Sequence, residues 1–429
     1  METNRGVRTS ILITLVIVLT FTVAIVWFNL KFRTMFSTSS VYFWAPHIAY
    51  MCVILIYLPT RIILYTLYKP YSDNGYRPKV SVVIPAFNEE RFIQKSIKAA
   101  LRSDYPSEKT EIIVVNDGST DRTRSRIDEM VSKYGNRIKA IHFSKNRGKR
   151  DAMAAGVKKA RGEIIVFIDS DTRVDKDAIR YLVAPFEDTR VGGTTGQINV
   201  HNYRTNFLTR MLGVRYIMSF DFYRATASVF GGITCLSGVM SAYRRSIIMD
   251  AMPEWLNQKF LGRRATFGDD RSLTNHTLRK GYRTVYSRRA VAHTLAPENL
   301  LKLFKMLVRW NKSFVRESII LYKYLLNISV LKRRKMLFYD STLTVLMPFF
   351  MMFIIVTIYF RVATEPRQLL TVLGSISTMA MVYMLFYIRS EKSWQFVYGI
   401  VYAFFFMTVL IWLLPYSIVT VNRNHWGTR

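Results

Sequence analysis

Residues 163–168 read EIIVFI, and the four residues that follow, 169–172, read DSDT. After Glu163 the run is wholly apolar and too short for a stable helix, which predicts a buried β-strand. Side chains alternate along an extended chain, so Asp169 and Asp171 project to the same side where the strand ends. Two carboxylates this close favour a hard divalent cation, which also binds phosphate oxygens. A turn with two solvated acids is the simpler alternative.

Three further strands and three helices precede this point. Short β-branched runs predict strands, and apolar residues spaced three and four apart predict helices. The predicted strands are 80–85 (VSVVIP), 111–115 (EIIVV) and 138–143 (IKAIHF), and the predicted helices are 89–103, 121–134 (capped by Ser119 or Thr120) and 152–160. This alternation predicts an open, mostly parallel α/β sheet with helices on both faces.

Polar clusters stand where these strands end, namely Asn88–Glu89, Asn116–Asp117 and Asp169–Asp171. In open α/β sheets, ligands bind beyond the carboxyl ends of the strands, so we expect one site here. Asp117 could accept a hydrogen bond from a base or a ribose. Lys149 and Arg150 offer cations to a diphosphate, although a lone Gly-Lys-Arg sequence is usually plain surface.

A second acidic cluster, residues 267–271 (FGDDR), lies further along the chain. Transfer of a group from a diphosphate to a hydroxyl needs a general base that takes the hydroxyl proton. A carboxylate on a different element from Asp169 and Asp171, the candidate metal pair, suits this role. Asp269, Asp270 and the adjacent Arg271 are therefore the catalytic candidates. Asp269 could instead cap the helix that follows it.

Long apolar runs flank the predicted α/β region on both sides. They are residues 11–30, 41–68, 341–360, 369–388 and 394–419. A helix of about 20 apolar residues matches the hydrocarbon core of a bilayer, so the runs predict α-helical transmembrane segments. Buried core helices, or a cleaved signal peptide for the first run, are the alternatives.

The chain is strongly basic, with 61 Lys and Arg against 29 Asp and Glu and a net charge of +32. The positive-inside rule places the basic α/β domain in the cytoplasm, on a multi-pass protein of the cell membrane. Anionic membrane lipids are expected partners. Nucleic acid is the rival partner, but no motif for it is present. Cys52 and Cys235 are the only cysteines, which excludes a disulfide framework and a Cys-based zinc site.

Residues 300–326 form an amphipathic stretch that is too charged to span a membrane. Such helices lie in the membrane interface. Arg309 and Trp310 fall within it, and Trp310 is either an interface anchor or a face on which a sugar stacks.

The motifs together resemble those of the membrane-bound processive glycosyltransferases of family 2, and in particular the hyaluronan synthases. They are PAFNE (85–89), NDGSTD (116–121), NRGKR (146–150), DSDT (169–172), TGQINVHNYRTNFLTR (195–210), SGVMSAYRR (237–245), FLGRRATFGDDRSLTN (260–275), RWNKSFVRES (309–318) and WGTR (426–429). DSDT and NDGS are shared by very many glycosyltransferases, whereas the last three motifs in this order are far more specific. The resemblance covers nearly the whole chain and implies a GT-A-like domain.

The resemblance also implies roles for individual residues. Phe87, Glu89 and Asp117 would bind uridine, Lys149 and Arg150 would meet the diphosphate, and Asp169 with Asp171 would hold Mg²⁺ or Mn²⁺. Asp270 would be the general base. Arg309 and Trp310 would contact the diphosphate and the acceptor sugar, and Ser237 and Gly238 would also bind the acceptor. Trp426 with Arg429 would close over the nucleotide.

Three positions depart from the family pattern. Met306 and Leu307 stand where the family has two glutamines, Leu236 stands at the cysteine of Cys-Ser-Gly-Pro, with Cys235 displaced by one, and Asn116 replaces an aspartate. The first two lie at the acceptor end. Because lost amide contacts to sugar hydroxyls change selectivity by orders of magnitude, another UDP-sugar pair such as glucose with glucuronate, or a chitin-oligosaccharide product, stays open.

The predicted domains are two transmembrane helices (1–70), the cytoplasmic GT-A domain (79–297), interfacial helices (298–336), a C-terminal membrane block (337–420) and a cytoplasmic tail (421–429). If the tail reaches the site, it must lie on the cytoplasmic side of the membrane. Three full crossings after the GT-A domain would place the tail on the opposite side. Residues 394–419, interrupted near Pro415, are therefore the predicted re-entrant segment.

The function expected from this resemblance is synthesis of hyaluronan from UDP-GlcNAc and UDP-glucuronate, with secretion of the growing polysaccharide. A lipid-linked single-sugar transferase and a non-enzymatic module that binds nucleotide or lipid are the rival classes.

Overall fold

The computed structural model describes residues 56–366 and 393–423, together with Leu369, Leu373, Ala380, residues 386–388 and Glu391. The predicted crossing at 11–30, the first part of 41–68, most of 369–388 and the tail residues Trp426 and Arg429 lie outside the described residues.

The described chain alternates strands and helices up to Thr294 and is helical beyond it. In chain order the elements are α1 (Ile56–Leu67), β1 (Val80–Ala86), α2 (Ile93–Leu101), β2 (Thr110–Asn116), α3 (Thr123–Tyr134), β3 (Ile138–His142), α4 (Lys149–Lys159), β4 (Ile164–Ile168), β5 (Arg173–Val174), α5 (Ala178–Val183), β6 (Val191–Val200), α6 (Phe207–Ile217), a π-helical turn (Met218–Phe222), α7 (Tyr223–Val229), β7 (Met240–Arg244), α8 (Arg245–Leu256), β8 (Lys259–Phe260), β9 (Arg263–Arg264), α9 (Asp269–Arg279), β10 (Arg283–Thr294), α10 (Leu300–Leu325), α11 (Ile328–Arg333), α12 (Lys335–Thr364), α13 (Phe396–Thr408) and α14 (Leu413–Val419).

One eight-stranded sheet has the order β3-β2-β1-β4-β7-β6-β10-β5. Strands β3, β2, β1 and β4 are parallel, and so are β6 and β10, which confirms the predicted mostly parallel α/β sheet. The sequence did not predict that β7 runs antiparallel to both β4 and β6. The chain enters β7 at the carboxyl edge of β4, where Asp169 N–H donates to the carbonyl of Val239 at 3.2 Å, and must run back from there.

Strand β1 lies in the middle of the parallel half, and all seven of its residues are buried. Ile84 packs with Ile93 and Ile97 of α2 on one face of the sheet. Val83 packs with Met153 of α4 on the other. Burial on both faces explains why this strand is almost continuously apolar.

All three predicted helix starts are wrong, since α4 begins at Lys149 and not at 152. Helix α2 begins at Ile93 and not at 89, and α3 begins at Thr123, whose N–H is accepted by the Asp121 carboxylate at 2.9 Å. Ser119 and Thr120 do not cap α3, because both bond to Asn88: the Asn88 N–H donates to Ser119 Oγ, and Thr120 N–H donates to Asn88 Oδ1. These bonds tie the loop after β1 to the loop after β2.

The helices after the sheet separate into an amphipathic one and apolar ones. Helix α10 coincides with the predicted interfacial stretch. Helix α12 has 30 residues and is long and apolar enough to cross a membrane, and within the described residues it is the one straight helix of that kind. Helix α13 and residues Leu410–Val419 form an apolar pair bent by 45°, inside the predicted re-entrant segment.

Candidate functional site

The loops after β1, β2 and β4 meet at one edge of the sheet, because β1 pairs with β2 on one side and β4 on the other. Phe87 is exposed there, while Glu89 is buried and its backbone N–H donates to Thr123 Oγ1 at 2.7 Å. Asp117 and Asp169 follow the next two strands. The predicted cluster of polar strand ends is therefore assembled in space.

Asp117 holds the loop that leads into α4. Its two carboxylate oxygens accept from the N–H groups of Arg147 at 2.7 Å and Gly148 at 2.9 Å, and burial raises its pKa. The neighbouring Gly118 has φ +67°, and a Cβ there would stand 2.3 Å from the carbonyl carbon of Lys145. This close approach sets the start of α4, and with it Lys149, at the sheet edge.

Lys149 lies in the first turn of α4 and donates a hydrogen bond from Nζ to the carboxylate of Asp169. Burial lowers the pKa of Lys149, but the charge and hydrogen bond of Asp169, together with the charges of Asp269 and Asp270, outweigh this effect and the pKa is raised. Partial burial and the charge of Asp169 raise the pKa of Asp171 to about 6. The two carboxylates thus repel each other, and Lys149 opposes this repulsion by bonding Asp169 and by acting through its charge on Asp171.

Asp169 and Asp171 fit a divalent ion whose remaining ligands come from elsewhere. Within the described residues no group of three His, Cys, Asp or Glu side chains could hold a metal. Mg²⁺ commonly binds through one or two carboxylates and completes its shell with substrate phosphates and water. The donor set therefore fits Mg²⁺ or Mn²⁺ carried with a diphosphate, and not a metal caged by protein alone.

Asp270 lies in the first turn of α9, and its carboxylate faces the same edge. Oδ1 accepts from the N–H of Arg271 at 2.8 Å, and Oδ2 accepts from the N–H of Gly238 at 3.4 Å and the thiol of Cys235 at 3.6 Å. A Cβ on Gly238 would stand 3.8 Å from Asp270 Oδ2 and 3.5 Å from Lys149 Nζ. The Lys149 ammonium and the Asp270 carboxylate thus both lie next to Gly238.

Asp269 and Arg150 are directed away from this edge and pair with each other. Arg150 Nε donates to Asp269 Oδ1 at 2.7 Å, and its Nη1 donates to the carbonyl of Trp255 at 2.6 Å. Both side chains are buried. The structure does not bring Arg150 to the diphosphate position, and Gly268 stands at the cap position expected of Asp269. The pair instead joins α4 to α9.

Helix α10 supports the start of α9 through residues whose roles the sequence did not indicate. Gly268 has φ +79°, and a Cβ there would stand 2.1 Å from Ser313 Oγ. Arg316 donates to the carbonyl of Phe267 and also pairs with Glu317 at 2.9 Å. A signal was present, because these residues fall in the NKSFVRES part of the motif at 309–318.

Two of the predicted acceptor residues, Trp310 and Ser237, are held by neighbouring elements. Trp310 lies 6.4 Å from Tyr216, ring centre to ring centre, and Ser237 is held by its N–H bond to Thr195 Oγ1 at 3.2 Å. Met306 and Leu307 are buried in the apolar core. The side chains at the two glutamine positions of the family pattern therefore pack in the core.

The described chain ends next to α10. Lys312 Nζ donates to the carbonyl of Arg423 at 3.1 Å, and Arg263 donates to the carbonyl of Asn422 at 3.3 Å. The tail with Trp426 and Arg429 continues from this point, outside the described residues.

The chain is similar to known proteins in sequence and in fold. The model of the family Glycosyl transferase family 2 matches residues 81–251. The chain is 33% identical over 390 residues to a hyaluronan synthase of Streptococcus pyogenes, covering 89% of this chain and 90% of that protein. It is 30% identical over 356 residues to an N-acetylglucosaminyltransferase of Azorhizobium caulinodans, covering 82% and 87%.

Among solved structures, a mannosyltransferase of Pyrobaculum calidifontis in complex with GDP-Man and Mn²⁺ superposes with a TM-score of 0.64. The superposition covers 88% of this chain and 97% of that one at 19% identity, and it shows a shared fold.

Proposed function

The chain is a hyaluronan synthase-like member of glycosyl transferase family 2, and from that premise we propose that it polymerises hyaluronan from UDP-GlcNAc and UDP-glucuronate. The observation that carries the proposal is that a Cβ on Gly238 would stand 3.5 Å from Lys149 Nζ and 3.8 Å from Asp270 Oδ2, with Asp169 bonded to Lys149. Lys149, a cation that can bind a leaving diphosphate, thus lies close to Asp270, a carboxylate that can take the proton of an attacking hydroxyl.

In the proposed reaction, Asp270 takes the proton of the acceptor hydroxyl as its oxygen attacks the anomeric carbon of the donor sugar. The new glycosidic bond forms while the bond from that carbon to the diphosphate oxygen breaks, so the configuration inverts. Lys149 then exchanges its partner Asp169 for the departing UDP. A divalent ion bound by Asp169 and Asp171 would supply positive charge for the diphosphate. The Arg150–Asp269 pair positions these groups without touching the substrate.

Uridine is expected against Phe87, Glu89 and Asp117. In this structure the Asp117 carboxylate bonds backbone N–H groups of the loop before Lys149. A nucleotide that binds Asp117 would therefore contact the loop that positions Lys149, the cation proposed to bind the diphosphate. Recognition of the base would thus be linked to the position of Lys149.

The proposed topology keeps the catalytic domain and the C-terminus on the cytoplasmic side. Two observations support a re-entrant segment at 394–419. Near its start, Arg210 of α6 donates to the Tyr398 hydroxyl at 2.8 Å, and near its end the Ser417 hydroxyl meets the carbonyl of Val308 at 3.5 Å. Both ends thus contact the elements that carry the site.

A chitin-oligosaccharide-type synthase is the second candidate. The glutamine positions of the family pattern hold buried Met306 and Leu307, and the Azorhizobium N-acetylglucosaminyltransferase is nearly as similar as the streptococcal relative. Such an enzyme would need UDP-GlcNAc alone.

The test uses the purified full-length protein in lipid, given UDP-sugars singly and in pairs with Mg²⁺ or Mn²⁺. We expect a high-mass, hyaluronidase-sensitive polymer from UDP-GlcNAc with UDP-glucuronate, and none after the metal is chelated. Chitin-like oligomers from UDP-GlcNAc alone, polymer from another pair such as UDP-glucose with UDP-glucuronate, or single-sugar lipid products would each reject hyaluronan synthesis. Nucleotide binding without turnover would reject an enzyme altogether.

A further inference from the structure

Three partly buried arginines lie on the helical elements beside the site, and each stands over an aromatic ring. Arg224 lies 3.7 Å from the ring centre of Phe220, Arg271 lies 5.4 Å from that of Phe314, and Arg215 lies 5.7 Å from that of Trp310. These six residues are called the arginine–aromatic surface. They come from α6, the π-helical turn, α7, α9 and α10, so the surface is made by the fold and not by one motif.

These arginines differ in their partners from four other interior arginines. Arg61, Arg150, Arg288 and Arg316 each pair with a carboxylate. Arg215, Arg224 and Arg271 form no ion pair with any residue that the structure describes, and the buried Nε of Arg224 has no hydrogen-bond partner there. A guanidinium withdrawn from water without a counter-charge is costly. The surface therefore suits an anion supplied from outside the chain.

The surface adjoins the reacting groups. Burial raises the pKa of Cys235 to about 11, and the charges of Arg271 and Arg224 act against that rise, which places both near the thiol that contacts Asp270. Burial also raises the pKa of Tyr216 to about 12, with Arg215 lowering it and Asp171 raising it further. The rings of Tyr216 and Phe220 stack 5.5 Å apart, which joins the Arg215–Trp310 pair to the Arg224–Phe220 pair. Arg271 directly follows the base candidate Asp270 in α9, and its N–H donates to the Asp270 carboxylate at 2.8 Å.

The geometry points to a binding subsite for the carboxylate of a uronic acid residue in the acceptor glycan, formed by Arg215, Arg224 and Arg271. Guanidinium binds carboxylate through two parallel hydrogen bonds, and the adjacent rings of Trp310 and Phe314 offer flat apolar faces to the pyranose ring. The donor's diphosphate is already met by Lys149 and the metal pair. This inference rests on the proposed function, since it requires an acceptor that contains uronate.

The test measures binding of two tetrasaccharides to the full-length protein in detergent: one of alternating GlcNAc and glucuronate, and chitotetraose, which is neutral. The variants are Arg215→Gln, Arg224→Gln and Arg271→Gln, with Arg224→Lys as the conservative exchange. Arg190→Gln is the matched control, because Arg190 is exposed and pairs only with Asp188 two residues away.

We expect the wild type to bind the uronate tetrasaccharide at least about tenfold more tightly than chitotetraose. Each Gln variant should lose about tenfold in affinity for the uronate tetrasaccharide and keep its affinity for chitotetraose. Arg224→Lys should fall between Arg224→Gln and the wild type, and Arg190→Gln should match the wild type. Equal affinities in the wild type, or equal losses for both glycans, would overturn the subsite.

Failure of the subsite and failure of the proposed function give different results. A wild type that makes hyaluronan from the two UDP-sugars but shows no preference for the uronate glycan rejects only the subsite. A wild type that makes only GlcNAc oligomers rejects the function.

Discussion

The guanidinium Nε of Arg150 lies 2.7 Å from the Asp269 carboxylate, and both side chains are buried. The two residues are 119 positions apart in the chain. Each stands in the first turn of its helix, next to a residue proposed to act on substrate: Lys149 beside Arg150, and Asp270 beside Asp269. The buried pair therefore fixes the separation between the cation for the diphosphate and the base for the acceptor.

Removing one partner of this pair leaves a buried charge without compensation. We expect Arg150→Met or Asp269→Asn to destabilise the protein by about 3–5 kcal/mol, seen as a lower apparent melting temperature. The double variant Arg150→Met/Asp269→Leu should recover much of the loss. Lys280→Gln, which breaks an exposed pair with Asp250, should cost less than about 1 kcal/mol. Loss of UDP affinity at unchanged stability in Arg150→Met would mean that Arg150 does contact the diphosphate.

Asp270→Asn tests the proposed base. The amide keeps the shape of the side chain but cannot accept the hydroxyl proton, so kcat should fall by about 10²–10⁴-fold. Donor KM and melting temperature should stay near the wild-type values, because Asp270 is not proposed to hold the donor. Asp250→Asn, an exposed acid elsewhere on the domain, is the matched control. A normal kcat in Asp270→Asn would remove it from the mechanism.

Gly268→Ala tests whether α10 supports the start of α9. The new methyl would stand 2.1 Å from Ser313 Oγ at a residue with φ +79°, so α9 or α10 must move and kcat should fall together with stability. Gly281→Ala is the matched control, since its φ is +89° but no atom lies within 4 Å. It should carry only the backbone cost of about 1–2 kcal/mol and keep kcat. A double variant Gly268→Ala/Ser313→Gly should regain part of the lost activity.

Local patterns in the sequence predicted much of the fold and the main cluster of the site. Strands β1, β2 and β4 are short apolar runs buried on both faces, and the polar residues at their ends meet because parallel strands share an edge. Such positions or motifs predict Asp117, Lys149, Asp169 and Asp270 as residues of the site.

Contacts between distant residues could not be predicted in this way. Ser119 and Thr120 bond to Asn88 and therefore do not cap α3. Arg150 pairs with Asp269 only because α4 and α9 pack together. The antiparallel direction of β7 depends on where the preceding loop crosses the sheet edge. None of these leaves a periodic or compositional signal, because each is decided by tertiary packing.

The lowered pKa of His276 predicts that the protein loses stability in mild acid. Burial and the charge of Arg279 lower its pKa to about 4, from 6.5 when unfolded, although Glu254 opposes the shift. Between these values the unfolded chain binds a proton that the folded protein does not, so stability falls as pH drops from about 6.5 to 4, by up to about 3 kcal/mol. Melting temperatures measured across this range should fall less steeply for His276→Gln. Parallel curves for the two proteins would contradict this prediction.

The position of the C-terminus tests the re-entrant segment. Both ends of residues 394–419 contact the site-bearing elements, and Lys312 holds the carbonyl of Arg423 beside α10. A cysteine at Thr428, in a chain carrying Cys52→Ser, should therefore be labelled by a membrane-impermeant maleimide only in inside-out vesicles. Ser107→Cys, exposed on the catalytic domain, marks that side, and the Cys52→Ser parent gives the background from Cys235. Labelling of Thr428→Cys only in right-side-out vesicles would mean that 394–419 crosses the membrane fully and that Trp426 and Arg429 cannot reach the nucleotide.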